Sequence, residues 1–227
     1  MATEKVRGKH PVEDLLYDRL VDAIIDKHLR PGQHLNEVKL AERFDVPRSR
    51  VRRVLERLRD EDVVVFELNR GAFVSRPTTK EAHNVFETRR HLEDLVVRLA
   101  CERATPEDIA LLRENLRDER EAFAAMRSDV NRVAANFHFA IARISGNGVL
   151  EKMVAQLIRR CVLVQSVYEK KSGILCLSEE HGSLIDCIEK NDPEGAAHLM
   201  AHHFDHIISS LDLTEARRAE IDSFEFI

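Results

Sequence analysis

The chain has 227 residues, which is enough for one or two domains with a sizeable hydrophobic core. It contains only 8 glycines, 6 prolines and no tryptophan, and 33% of its residues are charged, a composition that favours a mostly helical soluble protein. No apolar run approaches the ~18 residues of a membrane span, and the polar, mixed-charge start is unlike a signal peptide. We therefore expect a cytoplasmic protein.

The net charge of −5 hides an asymmetry between two parts of the chain. Residues 1–77 hold 16 basic and 14 acidic side chains, a net charge of +2, whereas the remaining residues hold 19 basic and 26 acidic side chains, a net charge of −7. A basic first part followed by an acidic second part is typical of a nucleic-acid-binding module joined to another domain. The sequence thus predicts two domains, at 1–77 and 78–227.

The first domain begins with the pattern of a helix-turn-helix. After an arm at residues 1–12 that we expect to be mobile, apolar residues at helical spacing predict a helix over about 15–28. A turn signal at residues 29–33 leads to a short helix at about 37–44. A second, basic helix follows after a tight connection, which is the helix-turn-helix arrangement.

That basic helix, at about 48–59, is the most informative segment. Six arginines fall within it against one acid, Glu56, while one face is apolar, and Pro47 suits its first turn. The arginines of its N-terminal half can neutralise phosphates or bond guanine edges in the major groove, and they are Arg48, Arg50, Arg52 and Arg53. The alternative is an ordinary solvated charged face.

A β-hairpin is predicted after the basic helix. Residues 63–68 and 72–75 favour strands, and Asn69-Arg-Gly71 is a turn signal between them. Such a hairpin would be a wing with Arg70 at its tip, within reach of a minor groove or a phosphate. An ordinary surface hairpin is the alternative.

The second domain is predicted to be entirely helical. After a linker at 76–79, with Thr79 as a helix N-cap, helices are expected at about 80–103, 106–126, 129–145, 148–171, 177–190 and 193–211. None of the four cysteines forms a C-x-x-C pair, so reduced structural thiols are expected.

Several polar residues interrupt the apolar stripes of these helices. Arg89 lies on the stripe of the 80–103 helix, and a buried arginine needs either an internal acid or a charged ligand. His138, His181 and His203 lie on three further stripes, where they are either core residues or a divalent-metal site. The competing set at one helical face, His198, His202 and His206, is accompanied by polar residues and should be exposed, so we expect His203 to point inward.

The order and spacing of these segments resemble a known family. Leu35 to Phe44 followed by Val46 to Leu58, with Arg30-Pro-Gly-Gln and Asn69-Arg-Gly-Ala-Phe-Val74, resembles the helix-turn-helix and wing of GntR-family regulators. The second part resembles the FCD ligand-binding domain of the FadR-like branch. The matching pieces are Arg89 with Leu92-Glu93, Phe137-His138 with Ser145-Gly-Asn147, Glu180-His181, and Met200 with His203.

The resemblance implies a homodimeric, ligand-responsive transcription factor that binds a palindromic DNA operator. It implies a mainly α fold, with an N-terminal winged helix-turn-helix and a C-terminal antiparallel all-helical bundle around a small-molecule pocket. By position, the family's DNA-contacting residues correspond to Arg48, Ser49, Arg50 and Arg52, with Arg70 and Gly71 at the wing tip. His138, His181 and His203 correspond to ligands of a divalent metal such as zinc or nickel, and Arg89 to an arginine facing the pocket.

Three departures from the family pattern stand out. Pro47-Arg48-Ser49 replaces the usual start of the recognition helix, with an additional arginine at position 50. Asp62 replaces a glycine that normally ends this helix. Ala134 replaces the acidic or amide metal ligand four residues before His138, which leaves Asn131 as the nearest substitute on that face.

These observations predict a sequence-specific DNA-binding repressor that responds to a small carboxylate, such as a sugar acid or another organic acid. We expect the carboxylate to bind between Arg89 and the metal, because a buried guanidinium and a divalent cation would leave an uncompensated positive site. The alternative is a metal-dependent enzyme that uses the three histidines, although the chain has no H-E-x-x-H motif, phosphate-binding glycine loop or nucleophile motif.

Overall fold

The computed structural model describes residues 11–170 and 178–214. The chain divides into two compact units, Met1–Arg76 and Pro77–Ile227. The expected arm at residues 1–12 lies outside the described residues except for Pro11 and Val12, which belong to the first helix and not to an arm. Cys176, Leu177 and nearly all of the polar C-terminus also lie outside the described residues. The mainly α fold, with an N-terminal winged helix-turn-helix and a C-terminal helical unit, is confirmed.

The first unit contains three helices and a small antiparallel sheet in the part that the structure describes. Its elements are α1 (Pro11–Ile25), β1 (His34–Leu35), α2 (Glu37–Phe44), α3 (Arg48–Asp60), β2 (Val64–Glu67) and β3 (Gly71–Val74). The strand order is β1-β3-β2, with Val64 opposite Val74 and His34 opposite Phe73. The two-residue strand β1 was not predicted, because so short a segment carries no periodic signal.

Local chemistry fixes the two helices of the helix-turn-helix. The Asn36 side chain accepts hydrogen bonds from the backbone N–H groups of Val38 and Lys39, so it caps the start of α2. Asp45 ends α2 in a left-handed conformation with φ 51°. Pro47 is the N-cap of α3 and not a residue of its first turn, which corrects the expectation. It still suits this boundary, because the N–H that it lacks is one that a helix start leaves unpaired.

The apolar face of α3 anchors the helix in the unit. Its four apolar side chains are almost completely buried, and they are Val51, Val54, Leu55 and Leu58. Burial of each such side chain contributes about 1.5–3 kcal/mol, so the opposite, arginine-rich face is held in a fixed orientation. Asp62, at the position of the expected glycine, has φ 59°, so it adopts the left-handed conformation that a glycine there would favour.

The second unit is helical throughout the part that the structure describes. Its helices are α4 (Thr79–Arg103), α5 (Pro106–Ala124), α6 (Val130–Ile144), α7 (Gly148–Tyr168), α8 (Ser178–Glu189) and α9 (Pro193–Ser209). The N-cap of α4 is Thr78 and not Thr79, because Thr78 accepts from the Glu81 backbone while the Glu81 carboxylate accepts from the Thr78 backbone. Helix α4 packs against α6, α7, α8 and α9.

Several helices end earlier than the sequence predicted, including α1 at Ile25 and α9 at Ser209, and two further ends have a visible cause. Helix α5 ends at Ala124, and Met126 beyond it has φ 49°, which breaks the helical path. Helix α7 ends at Tyr168 because Glu169 turns extended and pairs with Leu211 in an isolated β-bridge. No helix among the described residues combines the length and the apolar character that a lipid bilayer crossing requires.

Candidate functional site

The exposed face of α3 carries part of the predicted DNA-binding set. Arg48 Nε lies 2.7 Å from Glu37 Oε2, and Arg52 Nε lies 3.2 Å from Glu56 Oε1, yet both arginine side chains remain more than half exposed. Arg50 makes no ion pair with any described residue and is half-buried, and Ser49 is exposed. Because exposed ion pairs contribute little, these arginines can exchange their acids for DNA phosphates.

Arg53 lies on another side of α3 from the rest of the predicted set. Its Nη2 atom lies 2.5 Å from Glu13 Oε1 on α1. One turn further on, Arg57 Nη1 lies 3.1 Å from Asp14 Oδ1, and its guanidinium lies 3.7 Å from the centre of the Tyr17 ring. This side of α3 therefore holds α1 in place, and Arg53 is a poorer candidate for base contact than Arg50 or Arg52.

Two residues at the wing tip adopt a left-handed backbone conformation. Asn69 has φ 61° and Gly71 has φ 95°, which closes the connection between β2 and β3. A Cβ atom on Gly71 would come within 3.2 Å of His34 Nε2, so a side chain there would be both strained and crowded. Arg70 between them forms an ion pair with Glu67 and keeps 69% of its side chain exposed, so it can reach a ligand.

The second unit brings the three predicted histidines together. His138 on α6, His181 on α8 and His203 on α9 are almost fully buried, and one ligand atom from each lies within 4.8 Å of the others. His138 Nε2 lies 3.2 Å from His203 Nε2. His198, His202 and His206 are exposed, so His203 is the inward residue of α9, as expected.

Each histidine is oriented by a carboxylate from another part of the unit. His138 Nδ1 lies 2.6 Å from Glu93 Oε2, His181 Nδ1 lies 2.7 Å from Glu119 Oε2, and His203 Nδ1 lies 2.8 Å from Glu180 Oε2. An ionised carboxylate can only accept a hydrogen bond, so each Nδ1 donates its proton and each Nε2 keeps a lone pair. Carboxylates in this position fix the tautomer of metal-binding histidines.

The protonation states agree with this arrangement. Burial lowers the pKa of His138 to about 4, against the opposing effect of Glu93. Burial likewise lowers the pKa of His203 to about 3, although Glu180 acts in the opposite direction. Both imidazoles are therefore neutral at neutral pH, so the facing Nε2 atoms of His138 and His203 present two lone pairs to each other.

This donor set fits a divalent metal. Two nitrogen ligands at about 2.0–2.1 Å from a tetrahedral ion lie roughly 3.3 Å apart, close to the observed separation of the His138 and His203 Nε2 atoms. His181 Nε2 is buried and has no hydrogen-bond partner. Three imidazoles, each with a carboxylate at its Nδ1 atom, are a good set for zinc or nickel.

Arg89 forms an ion pair with an internal acid, Glu93, as its burial requires. Its Nε atom lies 2.5 Å from Glu93 Oε1, and the guanidinium lies 5.0 Å from the centre of the Phe204 ring. Burial by itself would raise the pKa of Glu93, but Arg89 and His138 lower it to about 2. Glu93 therefore joins Arg89 to the histidine cluster through its two oxygens.

A cavity of about 100 Å³ opens onto the cluster. Its wall includes Arg89, the three histidines, Ala134, Asn131 and Gln165. One water in the liquid occupies about 30 Å³, so the cavity admits a small organic ligand. Ala134, which replaces the family's acidic or amide metal ligand four residues before His138, supplies no ligand oxygen to this cavity.

The carboxylates of this shell offset the positive charge that was expected at the site. Glu93, Glu119 and Glu180 together carry three negative charges, whereas Arg89 carries one positive charge and His138 and His203 are neutral. This shell therefore has a formal charge of −2, which a divalent cation would bring to zero.

Sequence reasoning missed Glu119 altogether, and it named Glu93 and Glu180 in the segments that match the family pattern without predicting that they orient the histidines. Glu93 follows Arg89 by four residues, the spacing at which two helical side chains meet. Glu119 follows Leu112 by seven residues and Leu116 by three, so it is an acid on the buried face of α5. Both signals were present in the sequence, whereas the meeting of Glu180 with His203 depends on how α8 packs on α9.

Comparison with known proteins matches each of the two units to a protein family. Residues 13–74 match the gntR family of bacterial regulatory proteins, and residues 84–206 match the FCD domain. The Nta operon transcriptional regulator of Aminobacter aminovorans is 30% identical over 188 residues, covering 81% of this chain and 89% of that protein. The HTH-type transcriptional repressor RspR of Escherichia coli K12 is 23% identical over 203 residues, covering 88% and 89%. Among solved structures, E. coli McbR/YncC has the same fold, with a TM-score of 0.79 at 24% identity over 87% of this chain and 95% of that one.

Proposed function

Because this chain belongs to the GntR family of bacterial transcriptional regulators and carries an FCD domain, we propose that it is a homodimeric repressor controlled by a small carboxylate whose binding requires a metal. It is a transcription factor and not an enzyme, which removes the three-histidine enzyme as an alternative. The convergence of three imidazoles beside Arg89 in one cavity is the observation that carries the effector part of the proposal.

The DNA-binding part rests on the exposed face of α3 and on the wing. Arg48, Ser49, Arg50 and Arg52 lie on the N-terminal half of α3, the end that a recognition helix directs into the major groove. Arg70 and Gly71 form the wing tip. One such unit covers only a few base pairs, so two copies related by a two-fold axis on a palindrome would supply the remaining affinity.

The effector part rests on the charges around the cavity. Without a metal, the shell of Glu93, Glu119, Glu180 and Arg89 has a formal charge of −2, which repels an anion. A divalent cation held by His138, His181 and His203 would remove that repulsion and accept a carboxylate oxygen. Arg89 keeps N–H groups besides the Nε that it gives to Glu93, and these can donate to the other carboxylate oxygen. Anion binding should therefore require the metal.

Control of DNA binding needs a difference in affinity between two states. The effector releases DNA only if it binds more tightly to the dimer geometry that does not bind DNA, and the coupling must be reciprocal. Helix α4 carries both Arg89 and Glu93 and starts three residues after the boundary between the two units. It is the element through which a change at the cavity would be transmitted. The relative RspR of E. coli is a transcriptional repressor by name, which supports repression as the direction of control.

The DNA-binding proposal is tested by fluorescence anisotropy with palindromic fragments from the region upstream of the gene. We expect specific binding that weakens steeply as salt increases, because phosphate contacts release counterions. Arg52→Ala should lose about 1–3 kcal/mol of binding free energy if it contacts a base edge. Arg57→Ala, which removes an arginine from the side of α3 that faces α1, is the matched control. Equal affinity for the palindrome and for scrambled DNA would refute the proposal.

The effector proposal is tested with protein purified without a histidine tag. Elemental analysis should find zinc, nickel or a related metal, and small organic acids should raise the melting temperature of the metal-loaded protein but not of the chelator-treated protein. Arg89→Lys should weaken this response, while Arg90→Ala, at the neighbouring half-buried arginine that pairs with Asp205, should retain it. A carboxylate response of equal size in metal-free protein would contradict the mechanism.

A further inference from the structure

A second group of potential metal ligands lies on the surface of the second unit. In the part of the chain that the structure describes, it is formed by Glu180 on α8 and by His202 and His206 on α9. One ligand atom from each lies within 4.8 Å of the others. Glu180 Oε1 lies 3.7 Å from His202 Nδ1 and is hydrogen bonded to His206 Nδ1.

The two histidines are preorganised by the helix that carries them. They are four residues apart, which places them on one face of α9, and their ring centres lie 4.2 Å apart. Two histidines at this spacing bind zinc in the H-E-x-x-H motif, where a further ligand from elsewhere completes the set. Here the carboxylate of Glu180 comes from the neighbouring helix.

The chemistry of this group differs from that of the many acidic clusters on protein surfaces. Two imidazoles and one carboxylate suit late first-row metals such as zinc, nickel and copper better than magnesium or calcium, which prefer oxygen ligands alone. His202 keeps 56% and His206 keeps 47% of its side chain exposed, so water can complete the coordination. Glu180 is only 19% exposed, which fixes its position between the two helices.

Glu180 also belongs to the buried cluster. Its Oε2 atom accepts the hydrogen bond of His203 Nδ1 at 2.8 Å, while its Oε1 atom faces the exposed pair. The same carboxylate thus orients a predicted inner ligand and offers an oxygen to the outer group. A cation on Oε1 would withdraw electron density from Oε2 and weaken the bond to His203.

We propose that Glu180, His202 and His206 form a second, solvent-accessible site for a late first-row divalent metal, coupled to the inner site through Glu180. The coupling, but not the outer site itself, rests on the proposed inner metal site. Loss of a carboxylate behind a metal-bound histidine lowers metal affinity about 10–100-fold. Because Glu180 would be weakened and not lost, filling the outer site should lower inner affinity by at most about tenfold.

The outer site is tested by calorimetric titration of Zn²⁺ into tag-free, chelator-treated full-length protein. We expect the wild type to bind two ions per chain and the H202A/H206A variant to bind one. His91→Ala removes an exposed histidine from α4 and should leave the wild-type stoichiometry unchanged. Both outer histidines are exposed, so the double variant should keep its helical circular dichroism spectrum.

The stoichiometries separate the two metal proposals. One ion on the wild type and none on H202A/H206A would support the outer site and overturn the inner one. Equal stoichiometry in the wild type and H202A/H206A would overturn the outer site. If both sites fill, inner affinity measured in H202A/H206A should exceed that measured in the wild type under outer-site saturation, and equality of the two would overturn the coupling.

Discussion

Replacement of Glu93 by glutamine is a direct test of the charge network around the cavity. Glu93 is fully buried, and its two oxygens accept from Arg89 Nε at 2.5 Å and from His138 Nδ1 at 2.6 Å. Glutamine keeps the shape and one acceptor oxygen but removes the negative charge. Arg89, which is 6% exposed, then keeps its positive charge without the carboxylate that faces it.

The expected cost follows from that burial. Removing one partner of a buried ion pair costs about 3–5 kcal/mol, because it leaves the other charge uncompensated. The glutamine oxygen can still accept one hydrogen bond, so we expect a loss of about 3 kcal/mol in the free energy of unfolding of the metal-free protein. For a unit of roughly 150 residues, this corresponds to a melting temperature lower by about 6–12 °C.

The assay is thermal and urea denaturation followed by circular dichroism, since the chain has no tryptophan for fluorescence. Arg89→Met combined with Glu93→Gln should recover at least half of the loss, because no charge then remains buried without a partner. Glu114→Gln, at an exposed acid of α5, should change stability by less than about 0.5 kcal/mol. A loss below about 1 kcal/mol for Glu93→Gln, or no recovery in the double variant, would refute the reasoning.

Three further variants test other parts of the molecule. Ala134→Asp should raise metal affinity at least about tenfold by adding a ligand oxygen at the cavity wall, whereas Ala134→Val should not; calorimetry with Zn²⁺ measures both. Gly71→Ala should destabilise the first unit by about 1–2 kcal/mol in urea denaturation because of its φ of 95°, while Gly148→Ala, which has open space around it, should not destabilise the second unit. Thr78→Ala should cost about 1 kcal/mol of thermal stability by removing the cap of α4, and an unchanged melting temperature would show that the cap is dispensable.

The helices could be predicted from sequence because their signals are local. The spacing of Val51, Val54, Leu55 and Leu58 specified both the existence of α3 and the face that it buries. Errors concentrated at helix ends, where a single capping bond decides the boundary. Thr78 and Thr79 are equally good caps by residue type, and only the position of Glu81 relative to each distinguishes them.

The inward direction of the three histidines was also predictable, because each interrupts an apolar stripe. Their meeting at one point was not, since it depends on how α6, α8 and α9 pack against one another. The partner of Arg89 was predicted only in kind, because burying its charge requires either an acid or a charged ligand. Glu93, four residues after Arg89 on α4, was available as that acid. The role of Glu119 required the packing of α5 against α8 to be known.

The net charge of the shell bears on how the proposed effector switch would work. An arginine on an apolar stripe suggests a site that attracts anions, but the folded chain surrounds Arg89 and the histidines with Glu93, Glu119 and Glu180. These carboxylates make the histidines good metal ligands and leave the cavity with a negative formal charge. Both features favour the binding of a cation before the binding of an anion. The metal would therefore be the condition for effector binding, and a regulator built in this way would respond to the carboxylate only in cells that supply the metal.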